Sequence, residues 1–137
     1  MKLDPSAFLA NPELIAALEK RSTAISCDGE QVLFRQGAAP AGVYILHKGE
    51  VTLTLESAKG KPILSTEAGA GSLLGLPGLV GNEPYSLTAV AREGAEVSFV
   101  SRDQFTVLMQ SDPLLSLKIL QVLAAEVRSA RKAILQR

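Results

Sequence analysis

The chain has 137 residues, 47% hydrophobic and 20% charged, and its 14 basic and 14 acidic side chains cancel at neutral pH. That length suits one compact domain whose core needs no metal or disulfide, and the balance excludes a disordered or supercharged polypeptide. Zero net charge gives this segment no long-range electrostatic reason to bind nucleic acid. No apolar run approaches the roughly 20 residues that cross a bilayer. The start, Met1-Lys2-Leu3-Asp4-Pro5, does not read as a signal peptide, so a cytoplasmic protein is expected. Cys27 stands alone, which excludes an intrachain disulfide and a cysteine-based metal cluster.

Residues 3–21 read as short-helical. Asn11-Pro12-Glu13 places a capping side chain before a proline at the first helical position, with an acid toward the positive end of the dipole. Leu14, Ile15 and Leu18 then share one face, so this helix is expected to cover one end of the domain.

Residues 22–101 read as short strands between glycine turns. Gln31-Val32-Leu33-Phe34, Gly42-Val43-Tyr44-Ile45-Leu46 and the stretch 50–56 are the clearest. In the last, Val51, Leu53 and Leu55 alternate with Thr52, Thr54 and Glu56. Asp28-Gly29, Gln36-Gly37, Lys48-Gly49 and Gly60-Lys61-Pro62 mark turns, and Lys59 and Lys61 read as a solvated hairpin tip. Further strands are predicted near 63–66, 72–75, 87–91 and 96–101. Many short strands at this spacing predict a sandwich or jelly roll.

The remainder reads as helical. Residues 102–109 form a short helix with Phe105, Leu108 and Met109 inward. Asp112-Pro113 then caps and opens a helix with no glycine or further proline through Arg137. Its first part, with Leu114, Leu115, Leu117 and Ile119, is apolar on more than one side. Its second part narrows to Leu120, Leu123, Val127, Ala130 and Ile134 at intervals of three and four, a heptad seam. The helix either lies back along its own domain or pairs with a second copy. Pairing is the favoured expectation, with Glu126, Arg128, Arg131 and Lys132 as solvated flanks. The domain division that follows is a β-roll with its N-terminal helix over 1–112 and a dimerisation helix over 113–137.

A leading helix, an eight-strand jelly roll, a short helix and a long helix together resemble the sensor domain of the catabolite-activator and oxygen-response family of bacterial transcription regulators. The stretch from Gly37 through Tyr44-Ile45-Leu46-His47-Lys48-Gly49-Glu50-Val51 carries the resemblance, and Arg35-Gln36-Gly37 fits it too. It implies a cyclic-nucleotide-binding-like double-stranded β-helix. It also implies a phosphate-binding cassette, in which a glutamate after glycine holds the ribose and an arginine pairs with the cyclic phosphate. The matching stretch here contains Gly75-Leu76 and Pro84-Tyr85-Ser86-Leu87-Thr88. Leu76 stands where the resemblance implies the glutamate, and Tyr85 where it implies the arginine. A guanidinium offers an anion a charged fork of donors, tyrosine offers one neutral donor and leucine none. Charged hydrogen bonds contribute roughly 1.5–3 kcal/mol each, so weak affinity for cyclic nucleotides is expected. Loop N–H groups with Ser86 and Thr88 could still form a weak anion nest, and Leu76 and Tyr85 could fill part of the cavity.

The isolated reactive residues point to no chemistry. Cys27 reads as a plain thiol and His47 as a turn residue rather than a haem ligand. Arg92 reads as a surface cation, and Glu83 and Asp103 have nothing to orient them around a substrate. The expected protein is non-catalytic, with no cofactor and no metal. It is expected to be a homodimer that senses an unidentified effector other than a conventional cyclic nucleotide and touches neither nucleic acid nor membrane. Genuine binding of cyclic AMP or cyclic GMP, or a ligand-free interaction module, are the alternatives. In the family a DNA-binding module begins near the position of Arg137, and both a regulator fragment and a stand-alone domain fit.

Overall fold

Two runs of sequence organise residues 3–135, which the computed structural model describes; Met1, Lys2, and the last two positions of the predicted long helix, Gln136 and Arg137, lie outside them. The first run, Val43-Tyr44-Ile45-Leu46, lies in strand β3 (Gly42–Lys48) and is buried throughout. Successive side chains of a strand point to opposite faces, so an unbroken apolar run must be covered on both sides. Tyr44 and Leu46 enter one core cluster, Val43 and Ile45 the other. The second run alternates in β4 (Val51–Glu56). Val51 and Leu53 are buried, while Thr52 faces outward and donates to the Glu67 carboxylate.

The remaining strands are β1 (Thr23–Ser26), β2 (Gln31–Phe34), β5 (Pro62–Ala68), β6 (Leu73–Leu74), β7 (Thr88–Ala91) and β8 (Glu96–Ser101). They form two antiparallel four-stranded sheets, ordered β1-β8-β3-β6 and β2-β7-β4-β5. This is the expected jelly roll. One core fills the space between the sheets. The second lies on the other face of β3, against the helices. Gly42 is required where β3 meets β8, because a Cβ there would lie 2.1 Å from the Val100 carbonyl oxygen.

Helix α1 (Pro12–Glu19) begins as its sequence dictates, with Asn11 Oδ1 accepting from the Glu13 N–H at 2.8 Å. A 3-10 turn at Pro5–Phe8 precedes it. Helix α2 (Leu76–Gly81) departs from the sequence expectation, which has a loop there, since Gly78 and Gly81 disfavour helix. The strand expected at 72–75 shrinks to the two residues of β6. Gly75, at φ +85, turns the chain from β6 into α2 in a conformation that costs glycine little. Helix α3 (Arg102–Ser111) is capped by Ser101, and Asp112 caps α4 (Pro113–Leu135) through the Leu114 N–H.

Helix α4 does lie along its own domain. Leu115, Ile119 and Val122 enter the second core, and farther along Ser129 Oγ accepts from the Asp4 N–H at 2.8 Å. A different side of the same helix faces outward, with Leu117, Leu120, Val127 and Ile134 each more than half exposed. The sequence seam therefore divides. Leu120, Val127 and Ile134 face out, while Leu123 and Ala130 are half-buried and lean on the core. The expectation that Glu126 is a solvated flank is corrected. Its position turns it toward the roll, and its Oε2 is shut off from solvent.

Candidate effector pocket

The cassette loop runs from Gly75 through α2 to Thr88, and its ends are tied to β3. Tyr85 is the anchor. Its hydroxyl donates to the Gly42 carbonyl at 2.7 Å and accepts from the N–H groups of Ala41 and Gly42 at 3.1 and 3.2 Å. Its ring stacks on Phe34 at 4.2 Å between centroids. With three hydrogen bonds and a stacking partner, the phenol is fully engaged and offers no donor to a ligand. Arg102 fastens the same loop from outside, reaching Asn82 Oδ1 at 2.8 Å and the Pro40 carbonyl at 2.9 Å.

The seven cassette positions do not share one environment. Gly75, Tyr85, Ser86 and Leu87 line a void of about 20 Å³ beneath the loop, room for about one water. Leu76 is fully buried in the opposite core, with Val43 and Ile45, so it does not pack against Tyr85. Pro84 is exposed. Thr88 turns outward, and its Oγ1 accepts from the Gln36 N–H at 3.0 Å.

Beside this void, between the roll and α4, lies an open groove of about 280 Å³. Leu55, Leu64 and Leu87 form its floor, Phe8 and Pro77 its sides, and Leu123, Val127 and Ala130 of α4 its roof. Glu126 and Ser86 line both spaces, and Glu126 is the one charged residue among the described residues that line them. Among the described residues Glu126 Oε2 meets no hydrogen-bond donor. Burial pushes its carboxyl up to about 8, because the charged form loses its hydration. The sequence placed Glu126 on the helix but carried no signal for its direction. Only the tilt of α4 on the roll turns it inward.

Neither Arg92 nor Arg35 lines this void or groove. Arg92 is an exposed partner of Glu67, with two hydrogen bonds at 3.1 and 3.2 Å. Arg35 lines a separate outer cleft with Gln36 and Thr88. The pocket thus combines apolar walls with one buried carboxyl and no cation among the described residues.

A second cluster escaped the sequence reading. His47 lies in β3, not in a turn, and its Nε2 meets Glu19 Oε2 at 2.8 Å and Ser98 Oγ at 2.9 Å. A Ser-His-acid triad needs the acid on one ring nitrogen and the hydroxyl on the other. Here both partners use Nε2, so the acid occupies the nitrogen that would activate the serine. Cys27 is free and buried beside the same open cleft, and burial together with the Asp28 carboxylate holds its thiol above the usual range. That disfavours the reactive thiolate. Among the described residues no group of three or more His, Cys, Asp or Glu could hold a metal ion, and no helix is long and apolar enough to cross a membrane.

Comparison with known proteins agrees with this architecture. The chain is similar to the catabolite activator protein of Thermus thermophilus, with a TM-score of 0.78 at 23% identity over 96% of this chain, and spans 62% of that protein's length. It is also similar to the sensor domain of the transcriptional regulator DNR of Pseudomonas aeruginosa, with a TM-score of 0.68 at 20% identity, covering 89% of this chain and 82% of that one. A cyclic nucleotide-binding-like protein of Brucella abortus is 28% identical, with a TM-score of 0.58 over 73% of this chain and 85% of its own. No curated protein matches the sequence. The model of the cyclic nucleotide-binding domain family matches residues 25–112, from within β1 through α3, and the chain belongs to that family.

Proposed function

We propose that this chain is the non-catalytic sensor module of a cytoplasmic transcription regulator, which dimerises through α4 and responds to an effector other than a conventional cyclic nucleotide. The observation that carries the effector reading is the charge of the pocket. Its lining includes no cation among the described residues, and Glu126, its one acidic group, is held largely protonated by burial, so nothing there supplies the positive charge that a cyclic phosphate leaving water needs. Tyr85, at the position where an arginine would pair with that phosphate, is spent on Gly42 and Ala41.

The dimer reading is supported by the exposed stripe of Leu117, Leu120, Val127 and Ile134, at heptad intervals on a helix whose other side is already packed. Because Leu123, Val127 and Ala130 roof the groove, a ligand there touches the pairing helix directly. Occupancy of the pocket and the geometry of the dimer are thereby coupled. The module itself, with zero net charge, contacts no nucleic acid.

A second reading, binding of cyclic AMP or cyclic GMP through an altered cassette, is favoured by the family match and by Ser86 lining the void next to Gly75. Isothermal titration of the purified chain with both nucleotides at low salt separates the two. No detectable heat supports the proposal. Binding tighter than about 10 µM, equivalent to about 7 kcal/mol, overturns it.

A further inference from the structure

We infer that the groove between the roll and α4 takes a small, largely apolar molecule bearing one cationic N–H head, of the amine or amidine class, whose head meets the Glu126 carboxylate. The inference rests on the reading of this groove as the effector site and adds the chemistry of the effector.

Three observations carry it. The groove measures about 280 Å³, at the small end of ligand sites, which run from roughly 300 to 1,000 Å³. Its walls are leucine, phenylalanine, valine, proline and alanine, which favour an apolar body. Glu126 stands at the junction of groove and void, with Oε2 closed to solvent and without a donor among the described residues. A buried carboxyl without a partner is costly to maintain. A cation with N–H groups supplies both the charge and the donors that this oxygen lacks. A planar amidine can engage both carboxylate oxygens at once. An anion meets no cation here among the described residues, since the other polar side chain on the walls is the neutral hydroxyl of Ser86. Binding of a cation also draws the carboxyl back toward its ionised form, so complex formation at neutral pH releases a proton.

Benzamidine, benzamide and benzoate share one shape and differ in charge, so they test the inference directly. Chemical-shift titration of the isotope-labelled full chain gives their dissociation constants, and calorimetry in buffers of different ionisation enthalpy gives the protons released. Benzamidine is expected to bind about tenfold or more tighter than benzamide, with benzoate weakest, and to release up to one proton. Glu126→Gln is expected to erase the preference for benzamidine over benzamide and the proton release. Ala130→Phe, which fills the groove without touching Glu126, is expected to abolish binding of all three probes. If benzamide and benzamidine bind the native chain equally, or Glu126→Gln keeps the preference, the chemical class is wrong while the groove reading stands. If none of the three binds the native chain, the groove reading and the inference fall together.

Discussion

Glu126→Gln also tests the energetics of the pocket without any ligand. In the folded chain burial raises the carboxyl from an ordinary value of 4.5 to about 8. The folded state therefore holds a proton that the unfolded state releases between these limits. Below about pH 4.5 both states are protonated and the group is neutral in its effect. As pH rises from there toward about 8, wild-type stability falls, because folding must retain a proton that the solution no longer supplies. At about 1.4 kcal/mol per pH unit, the interval between 4.5 and about 8 amounts to about 5 kcal/mol. The groove is open at its mouth, and water entering beside the charged form reduces this, so a drop of about 2 kcal/mol or more is expected. Glutamine has the shape of the protonated acid and does not titrate. Urea unfolding of both proteins, followed by circular dichroism at one fixed chain concentration, cancels the other ionisable groups in the difference. The variant is expected to match wild type at about pH 4 and to be the more stable by about 2 kcal/mol or more at about pH 9. Profiles that stay within about 0.5 kcal/mol of each other across this range, as an exposed position would give, refute the buried placement of Glu126.

Leu120→Glu combined with Val127→Glu places charges on the outward stripe of α4. The double variant is expected to sediment as a folded monomer where the parent sediments as a dimer, since both side chains are more than half exposed in the single chain. Tyr85→Phe keeps the stack on Phe34 but leaves the Gly42 carbonyl and two N–H groups without their shared hydroxyl. A loss of about 1–3 kcal/mol in urea unfolding is expected. Gly42→Ala forces a methyl to within 2.1 Å of the Val100 carbonyl oxygen. The β3–β8 pair cannot part without opening both cores, so loss of the cooperative thermal transition is expected, and a native-like melt would show that the backbone yields there.

What the sequence by itself determined was local. Alternation in 51–56, the unbroken run 43–46, the Asn11 and Asp112 caps and the glycine-free length after Pro113 each act over a few residues, and each element formed near its expected place. The missed elements have local reasons too. Helix α2 carries two glycines against its propensity and is held by its packing, with Leu76 and Leu79 in the core. Strand β1 runs Thr23-Ala24-Ile25-Ser26, largely exposed, and is defined by its pairing with β8 rather than by an apolar pattern. The departures of Leu76 and Tyr85 from the family cassette were legible as letters, but their directions were not. Tertiary structure sent Leu76 into one core, Tyr85 into the other and Thr88 outward. It also decided which side of α4 meets the roll. On a helix, residues three and four apart share a face, so the spacing of Leu120, Leu123, Val127, Ala130 and Ile134 shows that a stripe exists. The angle at which the helix lies on its domain is a property of the packed surfaces. The setting of α4 about its own axis, absent from any local pattern, turned an apparent surface acid into the one ionisable acid lining the pocket among the described residues.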